Sequence, residues 1–407
     1  MEIRFGQLNN GLQYVHCQNS KQLISHLGAF INAGSRFEKQ GYEGITHFIE
    51  HLLFKGTHKR KAFHILNRLD SVGGELNAYT TKEETCLYAS FLNKYYDRAF
   101  ELLADQVFNS VFPEKEIEKE REVIIDEIGS YQDMPNEQIF DDFEEHLFKN
   151  NSMAGNILGT KKSLKQIGRE KMLQYHAHYY IPSNMVVASV GNISHAKFLN
   201  YLEKYFSNES SIQLNETIIK PEYQKPFQIN LNKKTTQHHF IIGNRAYGVN
   251  HPKHLTFFVL NNLLGGPSMN SRLNLAIREK YGFTYNLDSF YQTYSDCASW
   301  GVYASSDKKN AEKVKELILK ELKKLKEEKL GLVQLSQVKQ QFIGQMAMNR
   351  DNGMNHLTLL GKNMLVQQKI ESFNEIKEKV LAISALDLMD VSNEVFIENN
   401  FSQINYL

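Results

Sequence analysis

His47 and His51 stand four residues apart in the run His47-Phe48-Ile49-Glu50-His51. On an α-helix that spacing puts both imidazoles on one face, one turn apart. Two nitrogens so placed suit one tetrahedral Zn²⁺. Glu50, three after His47 and one before His51, points towards the rim of the same face. There its carboxylate can take a proton from a metal-bound water without being a ligand, and then pass it to a leaving amine. The chemistry is metal-assisted hydrolysis. Catalytic zinc needs a third protein ligand, and Glu83, Glu84, Glu120, Asp126, Glu127, His58 and His64 all offer one. Glu120 and Glu127 are seven apart, two helical turns, and share a face. One carboxylate can be on the metal and the other behind it; periodicity does not choose between them.

These side chains need elements to position them. From Gly44 to Phe54 the apolar Ile45, Phe48, Ile49, Leu52 and Leu53 recur at three- and four-residue steps, which predicts an amphipathic helix. Strands are predicted at Leu12–His16 and Leu23–Ile31, then a helix at Ala62–Val72 ending at Gly73-Gly74, then strands at Glu75–Thr81 and Thr85–Phe91. Helices follow at about 94–111, 114–131, 136–148 and 163–180, before a buried strand Met185–Gly191 and a helix to Phe206. Periodicity fades over 207–226, a polar stretch with two prolines, so 211–224 reads as a linker. It separates a domain of residues 1–210 carrying the metal motif from a domain of residues 225–407. After it the pattern restarts: helices at His254–Leu264 and Ser271–Tyr281, strands at Thr284–Thr293 and Ala298–Ala304, and a helix at Asn310–Lys329. That order echoes residues 42–111, an internal duplication of about 200 residues. The fold class is α+β: two homologous domains, each a mixed, mainly antiparallel β-sheet with helices packed on one face.

Composition narrows the function classes. A chain of 407 residues exceeds one comfortable core. Lys+Arg at 47 against Asp+Glu at 46 argues against a nucleic-acid partner, and the lysines of 308–329 alternate with acids as on a solvated helix face. Cys17, Cys86 and Cys297 lie far apart without a CxxC spacing, which argues against disulfides and a cysteine metal site. No run approaches ~18 apolar residues, so no membrane span is expected. Met1-Glu2-Ile3-Arg4-Phe5 reads as a first strand and not as a signal peptide, and a cytoplasmic location is the expectation.

The run from His47 to Thr57 (HFIEHLLFKGT) resembles the signature of the inverzincin peptidases, the group of pitrilysin, insulin-degrading enzyme and mitochondrial processing peptidase. The resemblance continues through 73–80 (GGELNAYT), Glu120-Arg121-Glu122-Val123-Ile124 with Glu127-Ile128, 155–160 (GNILGT) and 180–192. In the second half it takes in Gly265-Gly266, Met269, Ser271-Arg272-Leu273 and 277–285 (IREKYGFTY), so it spans nearly the whole chain. It departs at 265–270 (GGPSMN), where relatives have a plainer glycine-serine run.

The resemblance implies a zinc-dependent endopeptidase with one Zn²⁺ per chain, held by His47, His51 and Glu127, with Glu50 as general base and Glu120 behind the ligands. It further implies that Arg278 and Tyr285 reach the active site from the C-terminal half, hold the substrate carbonyl and steady the oxyanion. The segment Leu76, Asn77, Ala78, Tyr79 and Thr80 resembles the edge strand to which an extended peptide adds by main-chain hydrogen bonds. Members of the family close two half-shells around a chamber that admits peptides or unfolded segments. Two repeats in this chain, with both the zinc motif and the Arg/Tyr pair present, imply a homodimer with two competent sites. Members that lack the zinc residues and only bind or scaffold, and members dedicated to processing one precursor, are the rival readings.

Overall fold

The computed structural model describes residues 2–207, 214, 218–222 and 224–407. Half of the 211–224 linker, residues 211–213, 215–217 and 223, therefore lies outside the described residues. The chain forms two compact units, one of Met1–Ile128, Gly155–Ile218 and Met348–Ile370, the other of Gly129–Ala154, Ile219–Ala347 and Glu371–Leu407.

The first unit is built on a six-stranded sheet of β1 (Glu2–Gln7), β2 (Gln13–Gln18), β3 (Ile24–Ile31), β4 (Glu75–Thr80), β5 (Thr85–Leu92) and β6 (Met185–Gly191). Its order is β1-β2-β6-β3-β5-β4, with β2 and β6 parallel and every other pair antiparallel. The second unit carries β7 (Gln228–Leu231), β8 (His238–Arg245), β9 (Asn286–Thr293), β10 (Ala298–Ser306) and β11 (Ser402–Tyr406) in the order β7-β11-β8-β10-β9. There the parallel pair is β7 with β11. Strand for strand, β2-β6-β3-β5-β4 and β7-β11-β8-β10-β9 have the same connectivity and the same single parallel pair. The repeat read from the sequence is thus a repeat of topology, and the α+β expectation of two alike domains holds.

On one face of the first sheet lies the main helical layer, including Ile45–Leu52, Ala62–Asp70, Tyr96–Asn109 and Arg169–Tyr179. The opposite face, with Val15, Phe30, Val186 and Val190, is covered by Leu357, Leu360 and Met364 of helix Gly353–Gln367. This helix comes close because residue 361 is glycine: a Cβ there would stand 2.3 Å from the Phe30 ring. In the second unit the corresponding cover is helix Pro135–Leu147, whose Ile139, Phe143 and Leu147 pack with Ile241, Tyr303 and Tyr406. The compact units therefore interleave in sequence, unlike the successive stretches 1–210 and 225–407. A sheet of apolar strands needs both faces covered, and helical periodicity does not say which sheet a helix will cover. With both faces covered, β6 is buried along its whole length.

The expected helix at 163–180 is two, Lys161–Gln166 and Arg169–Tyr179, because Ile167 is extended and Gly168 starts the second. Within the expected helix at Ser271–Tyr281, residues Asn274–Glu279 form a π-helical turn. Among the described residues, no helix is long and apolar enough to cross a membrane.

Candidate metal centre

The histidine helix Ile45–Leu52 has only eight residues, too few to be stable alone. Packing holds it: Ile45, Phe48, Ile49 and Leu52 are fully buried in the first unit's core, each contributing about 1.5–3 kcal/mol. Its start is fixed by Gly44, at φ +91°, where a Cβ would stand 2.7 Å from the Leu158 carbonyl oxygen. Only glycine tolerates both demands. The Glu38 carboxylate accepts the Gly44 and Thr46 amides at 2.8 and 2.9 Å, satisfying donors that a helix start leaves open.

The opposite face of this helix carries His47, Glu50 and His51. The two imidazoles meet edge to face with ring centroids 4.6 Å apart. Facing them is the helix Glu114–Gln132, which follows Pro113 and has Glu114 and Glu116 in its first turn, both favourable at a helix N-terminus. Its Arg121 guanidinium lies over the Phe48 ring, 5.5 Å from the centroid, and donates to the carbonyls of Leu164 and Ile167 (the latter at 3.1 Å) at the break between helices Lys161–Gln166 and Arg169–Tyr179. That one buried side chain fixes the height of the carboxylate helix against the histidine helix.

At that height Glu127 presents one oxygen 3.9 Å from His47 Nε2 and the other 3.6 Å from His51 Nε2. One ligand atom from each of His47, His51 and Glu127 lies within 4.8 Å of the others, and this trio is the one such histidine, cysteine or carboxylate group among the described residues. Donors held ~2.1 Å from one tetrahedral zinc are roughly 3.4 Å apart. The trio would close in around such an ion, and its donor set, two imidazoles and a carboxylate, is what zinc takes. His47 Nε2 faces Glu127, while its buried Nδ1 has no hydrogen-bond partner among the described residues. Burial, with His51 beside it, holds the His47 imidazole down to about 3, so it is neutral at pH 7, as a ligand must be.

Glu120 is elsewhere. Its Oε2 accepts from His51 Nδ1 at 3.1 Å while Oε1 lies 2.7 Å from Lys55 Nζ. Burial pushes its carboxyl up, but the Lys55 and His51 bonds outweigh this and hold it below the usual carboxylate range. With the proton on Nδ1, the His51 Nε2 lone pair is directed at the trio. Burial pushes the Glu50 carboxyl up, against the Thr80 hydroxyl at the end of β4 and the pull of His51. Glu50, His51, Phe54, Leu66 and Glu120 are among the residues lining a cavity of about 320 Å³.

The other candidates for a third ligand are committed or apart. Glu83 pairs with Arg36 at 2.5 Å, Glu84 pairs with Lys362, Asp126 is exposed, and neither His58 nor His64 belongs to the trio. Lys55 and Arg121, both inside motifs the sequence displays, had no role assigned from it. The partners that give them these roles are 65 and 43 or more residues away, beyond any local pattern.

β4 is the edge of its sheet: it pairs with β5 alone. The Ala78 amide is bonded to Asn77 Oδ1 at 2.9 Å, so that amide turns away from β5. By strand alternation the main-chain groups of Leu76, Ala78 and Thr80 face the free side. In the second unit, Arg278 lies on the π-helical turn, and Tyr285, 78% exposed, directly precedes the edge strand β9. The Arg278 guanidinium carbon stands 6.0 Å from the Tyr285 ring centroid.

Comparison with known proteins agrees with this architecture. The family model described as insulinase (peptidase family M16) matches residues 14–161, and that described as peptidase M16 inactive domain matches residues 166–342. An uncharacterized zinc protease of Bacillus subtilis is 32% identical over 390 residues, 96% of this chain and 95% of the relative. The mitochondrial-processing peptidase subunit beta of Bos taurus is 32% identical over 311 residues, 74% of this chain and 63% of the relative. Among solved structures, a protease from Helicobacter pylori superposes with a TM-score of 0.92 at 22% identity, covering 100% of this chain and 99% of that one. The chain belongs to peptidase family M16, the insulinase family, in its short bacterial-type form.

Proposed function

We propose that this chain is a zinc-dependent endopeptidase that hydrolyses peptides or unfolded segments, with Glu50 as general base. The observation that carries this reading is the convergence of His47, His51 and Glu127 within 4.8 Å, with Glu50 on the same helix face but outside the trio. These three would hold one Zn²⁺ per chain, and the ion would supply Lewis acidity towards a water and the scissile carbonyl. Glu50 takes a proton from the attacking water and returns it to the departing nitrogen. Glu120 and Lys55 keep the His51 ring in its working tautomer and orientation.

The free edge of β4 is the docking line for substrate. An extended peptide pairs with the main-chain groups of Leu76, Ala78 and Thr80, and Asn77 releases the Ala78 amide as it arrives; Asn77 and Tyr79 hold the strand to β5. Recognition through the backbone gives broad tolerance of sequence. Arg278 and Tyr285 are assigned to the substrate carbonyl and the oxyanion, on the family resemblance and on their pairing in the second unit. Two repeats per chain support a homodimer with a closed chamber, and light scattering that found only monomer at working concentration would refute it. The catalytic reading is tested by stripping the purified chain with a chelator and titrating zinc back while cleavage of a quenched fluorescent peptide is followed. Activity should be lost and then return up to one zinc per chain; full activity in the stripped protein would overturn the reading.

A further inference from the structure

An edge strand is held by one ladder only, so its aim depends on what its side chains grip. In β4, Leu76 and Ala78 pack into the main helical layer, whereas Tyr79 faces the opposite side of the sheet, towards helix Gly353–Gln367. There the Tyr79 hydroxyl donates to Glu84 Oε1 at 3.1 Å. Lys362, on that helix, places Nζ 2.7 Å from the same oxygen and 5.5 Å from the centre of the Tyr79 ring. The Glu84 side chain is 5% exposed and that of Lys362 is 42% exposed. A buried carboxylate without its cation is strongly disfavoured, so Glu84 stays where Lys362 can reach it, and Tyr79 stays with Glu84. The helix itself cannot slide, since Leu357, Leu360 and Met364 are buried against the sheet and Gly361 abuts Phe30.

We infer that Lys362 is a positioning residue for substrate: through Glu84 and Tyr79 it sets the aim of the β4 edge that receives an extended polypeptide. Tyr79 is flanked by Ala78 and Thr80, whose main-chain groups face the free side. A Tyr79 that drifts therefore spoils the docking line before it touches the metal ligands. The inference rests on the proposed peptidase reading and extends it to a residue nearly 300 positions away in the sequence.

The test uses the full chain with zinc, a long extended fluorogenic peptide, and the variants Lys362→Met, Lys362→Arg and Glu84→Gln. Lys362→Met should raise KM about 5- to 10-fold with kcat within about twofold, because ground-state and transition-state binding are lost together. Zinc content should be that of the wild type. Lys362→Arg should restore KM to within about twofold, and Glu84→Gln should reproduce the Met phenotype, with the double variant no worse than either single one. A general structural defect would instead lower kcat or zinc content, or leave Arg unable to rescue, and any of these overturns the inference. An unchanged KM in Lys362→Met, beside an active wild type, overturns it alone. A wild type without cleavage or zinc overturns the peptidase reading and this inference with it.

Discussion

Replacing Glu120 would separate the carboxylate proposed to hold the metal from the one proposed to hold a ligand. Glu120 is 8% exposed and bonds His51 Nδ1 at 3.1 Å and Lys55 at 2.7 Å. Glu120→Gln can keep an acceptor for the Nδ1 proton but loses the charge that makes the imidazole a stronger donor. Glu120→Ala loses both and leaves the Lys55 ammonium without its partner. Outer partners of a ligating histidine are worth roughly 10- to 100-fold in metal affinity, that is about 1.4–2.8 kcal/mol. The Gln variant should lie near the low end and the Ala variant near the high end. Glu127→Ala, which removes an oxygen donor of the trio, should cost more than either. The assay is competition for zinc against a chromophoric chelator at pH 7, with cleavage read in parallel at saturating zinc. Wild-type zinc affinity in Glu120→Ala would refute the role given to the His51–Glu120–Lys55 chain, and a loss equal to that of Glu127→Ala would make Glu120 a ligand.

Further perturbations probe the scaffold and the second unit. His16, His176 and His356 are buried and burial holds each imidazole down to about 4. The unfolded chain protonates them below ~6.5 while the folded one does not, so their stabilisation is whole above ~6.5 and is lost as pH falls towards about 4, at up to about 1.4 kcal/mol per pH unit each. Urea midpoints from pH 7.5 to 5 should fall, less steeply in His176→Gln, and equal slopes would contradict this. Gly44→Ala puts a Cβ at φ +91° and 2.7 Å from Leu158 O. It should cost about 2 kcal/mol or more in thermal unfolding and weaken zinc binding, and a neutral result would show that the helix start is not fixed there. Arg278→Ala and Tyr285→Phe should lower kcat by ~10- to 1000-fold at unchanged zinc content, and wild-type kcat in both would remove them from the reaction.

What the sequence displayed and what it hid follow from distance along the chain. The histidine helix was legible because its burial and its chemistry both have helical period: Phe48 and Ile49 on one face, His47 and His51 on the other. The repeat was legible as an order of elements, and the two sheets share it. Periodicity left Glu120 and Glu127 level, since residues two turns apart share a face. They are separated by height along the neighbouring helix, which Arg121 sets through the carbonyls of Leu164 and Ile167 at a break the sequence does not announce. Lys55 and Lys362 were invisible as partners, because nothing local in the chain marks a cation for a carboxylate 65 or 278 residues away. The helices 135–147 and 353–367 were predicted in one case and not in the other, and the sheet each covers is a matter of tertiary packing.

In the proposed mechanism Glu50 moves the proton while His47, His51 and Glu127 hold the metal. The most direct measurement is cleavage of a fluorogenic peptide by wild type and Glu50→Gln, with bound zinc counted in both. The expected result is one zinc per chain in each and a rate lowered by roughly 10²- to 10⁴-fold in the variant. A variant that binds zinc and cleaves as fast as the wild type would contradict it.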